Sequence, residues 1–339
     1  MEIDDAPKQL KLKEFNKKYL SNITLDSLNI NLFSSNISDK GLKELVSIDF
    51  PKKIEQLILE NNGISDLSPL SLITFGEKLI SLDLSSNKIE SINLLSKANF
   101  PILNHLYLNN NSITNINSMD SFNFPNLTEL NLSSNKITAI DILAKTKFSN
   151  LKELLLSKNE ILSIDILSNV NFPKLKILTL NHNKICSIDC LVKVKFNKIR
   201  ELKLEKNSLK NIKILSEINF PKLSYLSLGD DTLADNLDGL KNIKCSKLED
   251  IRVYLNEKFN KKSKKIQDII DFLENKGICF NFIKYDKSGE NEIMDNDINF
   301  MHNYDDNSDE DNEDFGENYG SKGKSEDSLN EFLLKEGLI

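Results

Sequence analysis

Hydrophobic and polar residues alternate in one pattern that repeats along most of the chain, and an Asn marks each period. The marking residues stand 24 positions apart after a first step of 25, and they are Asn62, Asn87, Asn111, Asn135, Asn159, Asn183 and Asn207. Asp231 takes the next position. Leu or Ile stands three, five and eight positions before each Asn, as in Leu84, Leu82 and Leu79. This alternation predicts one short strand per period, with the apolar side chains pointing inward.

The second half of each period predicts a return path on the outer side of the stacked coils. Ile occupies the positions two and five after the Asn, for example Ile137 and Ile140. Asp141, Asp165 and Asp189 directly follow the second Ile, and we interpret them as caps of a short helix or helical turn. The marking Asn has a different role, because its amide can satisfy backbone groups of the turn and of the neighbouring coil.

A regularly placed Phe precedes each predicted strand. The series is Phe50, Phe75, Phe100, Phe124, Phe148, Phe172, Phe196 and Phe220, and Pro often follows directly. Pro fixes the backbone where the chain re-enters the strand and cannot extend a preceding helix. We therefore interpret the Phe series as buried core and expect no aromatic binding site there.

The pattern weakens at both ends, which suggests four regions. Residues 1–49 are predicted as a helical cap with a degenerate first repeat, 50–235 as repeats, and 236–285 as a C-terminal cap with strand, helix and strand. In that cap, Ile266, Ile269, Ile270 and Leu273 have helical spacing, and Cys279–Tyr285 reads as a closing strand. Residues 286–339 form an acidic tail that we expect to be disordered, because residues 286–327 contain 15 Asp or Glu and only three Lys.

The frame L-x-x-L-x-L-x-x-N-x-I-x-x-I-x-x-L resembles the leucine-rich repeats of the type-one phosphatase regulatory subunit and of bacterial internalins. Matching residues in one period are Leu130, Leu132, Asn135, Ile137, Ile140 and Leu143. The resemblance covers roughly residues 50–235 and implies an α/β solenoid. This solenoid is a curved horseshoe with a parallel concave sheet and short convex helices or helical turns. The acidic tail adds an architectural similarity to acidic nuclear phosphoproteins that engage histones and phosphatases.

No residue pattern indicates catalysis. His105, His182 and His302 lack metal-ligand spacing, and the four Cys residues lack paired C-x-x-C motifs. Phosphate-binding and nucleophile motifs are also missing from the sequence. We therefore predict no enzyme activity, no catalytic residue, no cofactor, no metal and no small-molecule substrate.

Two charged or motif-like features have simple alternative interpretations. Asp83, Glu129 and Glu153 lie near one another on the predicted strand face, where we expect a solvated polar surface. Lys193–Phe196 matches a docking motif for the type-one phosphatase, but Phe196 belongs to the Phe series and Val194 occupies an inward position. We therefore do not expect this motif to be accessible.

The outward positions of the strands suggest where a partner binds. Predicted protein-binding residues of the concave face are Ile58, Tyr107, Leu155, Ile177, Thr179, Lys203 and Tyr225. Exposed aromatic and aliphatic side chains on a rigid frame are typical of interface hot spots.

The sequence as a whole favours a monomeric scaffold that binds a protein ligand. One alternative is a regulatory subunit of a protein phosphatase or another enzyme, and another is an acidic-tailed chaperone of a basic protein such as a histone. Nucleic acid and membrane partners are not expected. The N-terminus has no apolar run, so we expect a cytoplasmic location, with the nucleus as an alternative.

Overall fold

The computed structural model describes residues 6–229, 237–255, 264–285 and 291–293, all within the first of two compact units, Met1–Asn296. The described residues form three α-helices and one sheet. The helices are α1 (Ala6–Tyr19), α2 (Ser38–Val46) and α3 (Lys264–Glu274). The strands are β1 (Asn29–Asn31), β2 (Gln56–Ile58), β3 (Ser81–Asp83), β4 (His105–Tyr107), β5 (Glu129–Asn131), β6 (Glu153–Leu155), β7 (Ile177–Thr179), β8 (Glu201–Lys203), β9 (Tyr225–Leu228), β10 (Asp250–Leu255), β11 (Cys279–Tyr285) and β12 (Asn291–Ile293).

The strands follow one another across the sheet in chain order. Strands β1 to β11 pair in parallel, and only β12 runs antiparallel, against β11. Short 3-10 helices connect successive strands at Ser68–Leu72, Gly76–Lys78, Asn93–Lys97, Asn117–Ser121, Asp141–Lys145, Asp165–Asn169, Asp189–Val192, Lys213–Ser216 and Asp238–Asn242. An open parallel sheet with short helical turns on its other side confirms the predicted solenoid.

The Phe series lies in the core, as predicted. All eight rings are at most 3% exposed, and some neighbouring rings contact each other, as Phe50 and Phe75 do at 5.5 Å between ring centroids. The inward Leu and Ile residues of each strand are also fully buried, for example Leu130 and Leu132. The core is therefore continuous from coil to coil, and each coil depends on its neighbours for burial.

The repeated Asn residues form a ladder between coils. The Asn159 Oδ1 atom accepts a hydrogen bond from the backbone N–H of Ile137 in the preceding coil at 3.0 Å. Its Nδ2 atom donates to the carbonyl of Leu132 in that coil at 2.9 Å and to the carbonyl of Leu156 in its own coil at 3.1 Å. The same pattern recurs at every predicted ladder Asn from Asn87 to Asn207, and Asn62 makes equivalent bonds to the preceding coil. The predicted role of the amide is confirmed.

A left-handed residue precedes each ladder Asn, and the sequence pattern did not reveal it. The backbone φ is close to +55° at Asn61, Ser86, Asn110, Ser134, Lys158, His182 and Lys206. This conformation turns the chain sharply off the strand. Non-glycine residues rarely adopt it, so the surrounding hydrogen bonds must hold the backbone in place.

The predicted caps of the convex turns are wrong. Asp141, Asp165 and Asp189 are the first residues of their 3-10 helices, and their side chains make no capping hydrogen bond. In two of the three turns the side chain two positions earlier accepts from that first backbone N–H instead, namely Ser163 for Asp165 and Ser187 for Asp189, both at 3.1 Å. The reason is geometric, because a short side chain folds back readily onto the backbone two residues ahead.

The elements predicted at the C-terminal end are present. Helix α3 contains the Ile and Leu residues with helical spacing, and β11 is the predicted closing strand. Strand β12 corrects the expectation of disorder throughout residues 286–339, because the backbone of β11 offers hydrogen-bonding groups at the sheet edge. The other residues of that segment lie outside the described part, as does Asp231. The four region boundaries stay predictions.

Candidate protein-binding face of the sheet

Two columns of outward side chains run across the sheet. Strand pairing aligns His105 with Glu129, Glu129 with Glu153, and Glu153 with Ile177, so these residues stand side by side on consecutive strands. The second column, two positions further along each strand, aligns Asn131 with Leu155. Adjacent strands lie about 4.8 Å apart, so each column presents a continuous line of side chains. We call these two columns the exposed face.

Glu129 connects the aromatic residues of β4. The Tyr107 hydroxyl donates to Glu129 Oε2 at 2.7 Å, and the His105 Nδ1 atom lies 3.1 Å from the same oxygen. The imidazole and phenol rings are nearly parallel, with an angle of 12° between their planes. Burial raises the pKa of Tyr107 above its ordinary value, and the negative charge of Glu129 raises it further. Tyr107 is therefore a neutral donor that holds the carboxylate in place.

Glu153 has a different environment, although it lies on the next strand. Burial raises the pKa of Glu153, and the nearby charges of Glu129 and Glu201 raise it further. Among the described residues, its carboxylate makes no hydrogen bond or ion pair. Glu129 is itself only 20% exposed in its side chain. The expected fully solvated polar surface is therefore wrong here, since close strand spacing crowds and partly buries these acids.

The other end of the exposed face carries ion pairs and an aromatic ring. Tyr225 lies between two cations, with Lys203 Nζ at 5.7 Å and Arg252 Cζ at 5.3 Å from the ring centroid. Lys203 pairs with Glu201 at 2.5 Å, and Arg252 with Asp250 at 3.0 Å. These contacts fix a planar aromatic surface between two cations, an arrangement stabilised by cation–π attraction.

Comparisons with known proteins agree on the type of repeat. A family model for leucine-rich repeats in two copies matches residues 103–145, and a second leucine-rich repeat model matches residues 125–185. Residues 103–185 therefore contain leucine-rich repeats. No curated protein matches its sequence.

Solved structures extend the likeness of this leucine-rich-repeat protein to an internalin-like fold. Internalin InlF from Listeria monocytogenes is 20% identical with a TM-score of 0.51, over 73% of this chain and 66% of the internalin. Internalin C2 from the same organism is 24% identical with a TM-score of 0.50, over 66% of this chain and 93% of the internalin. The structure of PEPR1-AtPEP1 is 18% identical with a TM-score of 0.50, over 83% of this chain and 42% of that one. These likenesses show the fold alone.

Six of the seven predicted site residues of this leucine-rich-repeat protein are partly accessible on the exposed face. They are Ile58, Tyr107, Leu155, Ile177, Lys203 and Tyr225, all of which are half-buried. The predicted exposure of Thr179 is wrong, because this residue is only 7% exposed and its hydroxyl accepts a hydrogen bond from Ser157 Oγ at 2.7 Å. Whether the six residues bind a partner stays a prediction.

Sequence reasoning did not count four neighbours of these residues as binding residues, namely His105, Glu129, Glu153 and Arg252, although it placed Glu129 and Glu153 on the strand face. The first three occupy the outward column six positions before the ladder Asn, so the period itself carried a signal for them. Arg252 lies on β10, beyond the regular frame, and it joins the face because β10 pairs with β9.

The remaining candidate chemistry gives neither a metal site nor a membrane span in the described residues. No group of three His, Cys, Asp or Glu side chains there is arranged to hold a metal ion. No helix in that part is long and apolar enough to cross a membrane. Val194 and Phe196 are 8% and 3% exposed, so the phosphatase docking motif is buried as predicted. The four cysteines are free thiols.

Proposed function

We propose that this leucine-rich-repeat protein is an interaction scaffold that binds a protein ligand on the exposed face of its sheet. Solenoid repeats serve protein–protein interaction in general, and their open sheets provide extended binding surfaces. The observation that supports this particular face is the group of half-buried apolar and aromatic side chains spread over its two columns, chiefly Tyr107, Leu155, Ile177 and Tyr225. Single apolar residues are common on any surface, but several of them together on one rigid face are typical of an interaction site.

The distribution of charge on this face supports a partner with matching polarity. Strands β5 and β6 present the acids Glu129 and Glu153, whereas on β8 to β10 the cations Lys203 and Arg252 are paired with Glu201 and Asp250. Leu155 and Ile177 lie between these two groups. Apolar anchors flanked by an acidic pair on one side and by ion pairs on the other would fix both the position and the direction of a bound chain.

The test compares two pairs of apolar residues on different surfaces. Leu155→Ser with Ile177→Ser removes the central anchors, and Leu72→Ser with Leu162→Ser is the matched control, since those two residues are 69% and 58% exposed outside the sheet. Candidate ligands from affinity purification in the native cell are produced pure and titrated against each variant. We expect the sheet variant to bind about 30-fold more weakly or worse, because a hot-spot residue contributes about 2 kcal/mol or more.

The control variant should bind the ligand like the wild type, and all variants should keep the same circular dichroism spectrum. The proposal fails if the sheet variant retains wild-type affinity for every ligand, or if the control pair weakens binding equally. Enzyme regulation and chaperoning of a basic protein stay predictions, since no described residue favours either. The absence of catalysis also stays a prediction, although proteins of this fold are typically interaction domains.

A further inference from the structure

The segments that lead from each short helix into the next strand have a strongly uneven charge. In five consecutive coils these segments contain twelve Lys or Arg and only two Glu, and they span residues 145–152, 169–176, 193–200, 217–224 and 242–249. The equivalent segments of the four preceding coils contain four Lys and three acidic residues, and they span residues 48–55, 73–80, 97–104 and 121–128. Positive charge is therefore concentrated on one side edge of the later coils. We call the five later segments the basic rim.

Backbone hydrogen bonds stack the cations of the basic rim in rows. The N–H of Lys176 donates to the carbonyl of Lys152 at 2.7 Å, and the N–H of Arg200 donates to the carbonyl of Lys176 at 2.7 Å. A second row lies two positions earlier in each segment and includes Lys174 and Lys198, both exposed. Because neighbouring coils are about 4.8 Å apart, cationic residues recur at matching positions of successive coils, and Lys174 Nζ donates to Asn150 Oδ1 of the preceding coil at 2.8 Å.

A polyanion that follows such a row neutralises several cations at once. The side chains that the rim does not offer indicate which class of polyanion fits it. The only aromatic residues in the five rim segments are Phe148, Phe172, Phe196 and Phe220, and all are buried in the core. The rim therefore has no surface on which nucleobases could stack. It contains a single Arg among its cations, so it also lacks the planar groups that favour bidentate phosphate recognition.

We propose that the basic rim binds an extended protein segment rich in Asp and Glu. An extended chain places every second side chain on one side at intervals of about 6–7 Å, which allows successive carboxylates to reach cations on neighbouring coils. The rim lies at the start of the strands and differs from the exposed face in both position and charge. This inference goes beyond the proposed function, because it assigns a second interaction surface.

The experiment measures binding of a fluorescein-labelled poly-glutamate peptide to the full chain by fluorescence anisotropy at several salt concentrations. The rim variant carries Lys174→Ser, Lys198→Ser and Lys247→Ser, which are exposed positions of the second row. A matched variant carries Lys88→Ser, Lys136→Ser and Lys210→Ser, three exposed lysines beyond the ladder Asn of their coils. We expect the rim variant to bind about ten-fold more weakly at low salt, and the matched variant to bind like the wild type.

Two binding results would overturn the proposal. Equal loss of affinity in the two variants would mean that the peptide senses only the overall charge. Tighter binding of a single-stranded oligonucleotide of equal charge, with the same dependence on the rim, would identify nucleic acid as the partner class.

Carbodiimide crosslinking, which joins lysines to carboxylates in contact, should link Lys174 or Lys198 to the peptide. Links from these lysines only to carboxylates of the same chain would exclude an external partner.

Discussion

Asn159→Ala tests whether the buried amides, rather than the apolar residues alone, hold the coils together. Asn159 is 7% exposed, and its side chain serves the Ile137 N–H and the carbonyls of Leu132 and Leu156. Alanine retains the backbone and removes all three partners. Water has little access to replace them, because the neighbouring Leu side chains are fully buried.

The expected cost follows from these three groups. A buried backbone donor or acceptor that loses its partner costs about 1–3 kcal/mol, and small shifts of the turn will relieve part of this cost. We therefore expect Asn159→Ala to lower the free energy of unfolding by about 3–5 kcal/mol. Asn150→Ala is the control, because the Asn150 side chain makes only exposed hydrogen bonds, donating to the Pro125 carbonyl at 2.9 Å and accepting from Lys174 Nζ at 2.8 Å. Its loss should cost about 1 kcal/mol or less.

Urea denaturation followed by far-ultraviolet circular dichroism measures both variants, since the chain has no Trp for fluorescence. The slope of the unfolding transition must be compared as well, because a weakened coil can allow one end of a solenoid to unfold separately. A similar cost for the two variants would refute the ladder as the main polar support of the stack. So would a cost for Asn159→Ala below about 1 kcal/mol.

Two further predictions concern the backbone and the exposed face. Ser134→Val should lower the free energy of unfolding by about 1–3 kcal/mol, because a β-branched residue resists the φ of +56° there. Ser134→Gly should be nearly neutral, and equal urea midpoints for the Val and Gly variants would contradict this reasoning. Glu153→Gln should stabilise the protein at pH 7, because the folded state raises the pKa of Glu153 above its ordinary value of 4.5 and so disfavours the charged form. This gain should disappear as the pH falls to about 4.5 and below, where Glu153 is protonated in both states; a gain that persists there would contradict the electrostatic cause.

The sequence was sufficient for the parts of the fold that the period determines. The ladder Asn, the inward Leu residues and the Phe series each recur at a fixed position, and a side chain in a repeated position has a repeated environment. The convex caps were harder to predict, because Asp at the start of a helix fits either a cap or a first-turn residue. The left-handed position was not visible at all, since Ser134, Lys158 and His182 share no chemistry and are held there by the backbone of the neighbouring coil.

The exposed face was predictable in position but not in accessibility. Thr179 and Leu155 occupy the same outward column, yet Thr179 is buried because Ser157 and Asn181 form a hydrogen-bonded cluster beside it. The charge state of Glu153 was equally hidden, because it depends on acids that lie 24 or 48 residues away in sequence and on adjacent or nearby strands in space. Contacts between coils therefore determine the burial and the charge state of the outward side chains, which the repeat period alone does not determine.

At Glu205 the chain carries a residue that lowers the stability of the stacked coils. The equivalent positions in the three preceding coils are neutral, namely Ser133, Ser157 and Asn181. Glu205 is only 6% exposed, its carboxylate bonds to the hydroxyl of Ser227, and burial raises its pKa. A buried carboxylate costs stability that a Ser or Asn at this position would not. Glu205 lies beside Lys203 at one end of the exposed face, so at this position the residue departs from the repeat at a cost to the stacking of the coils.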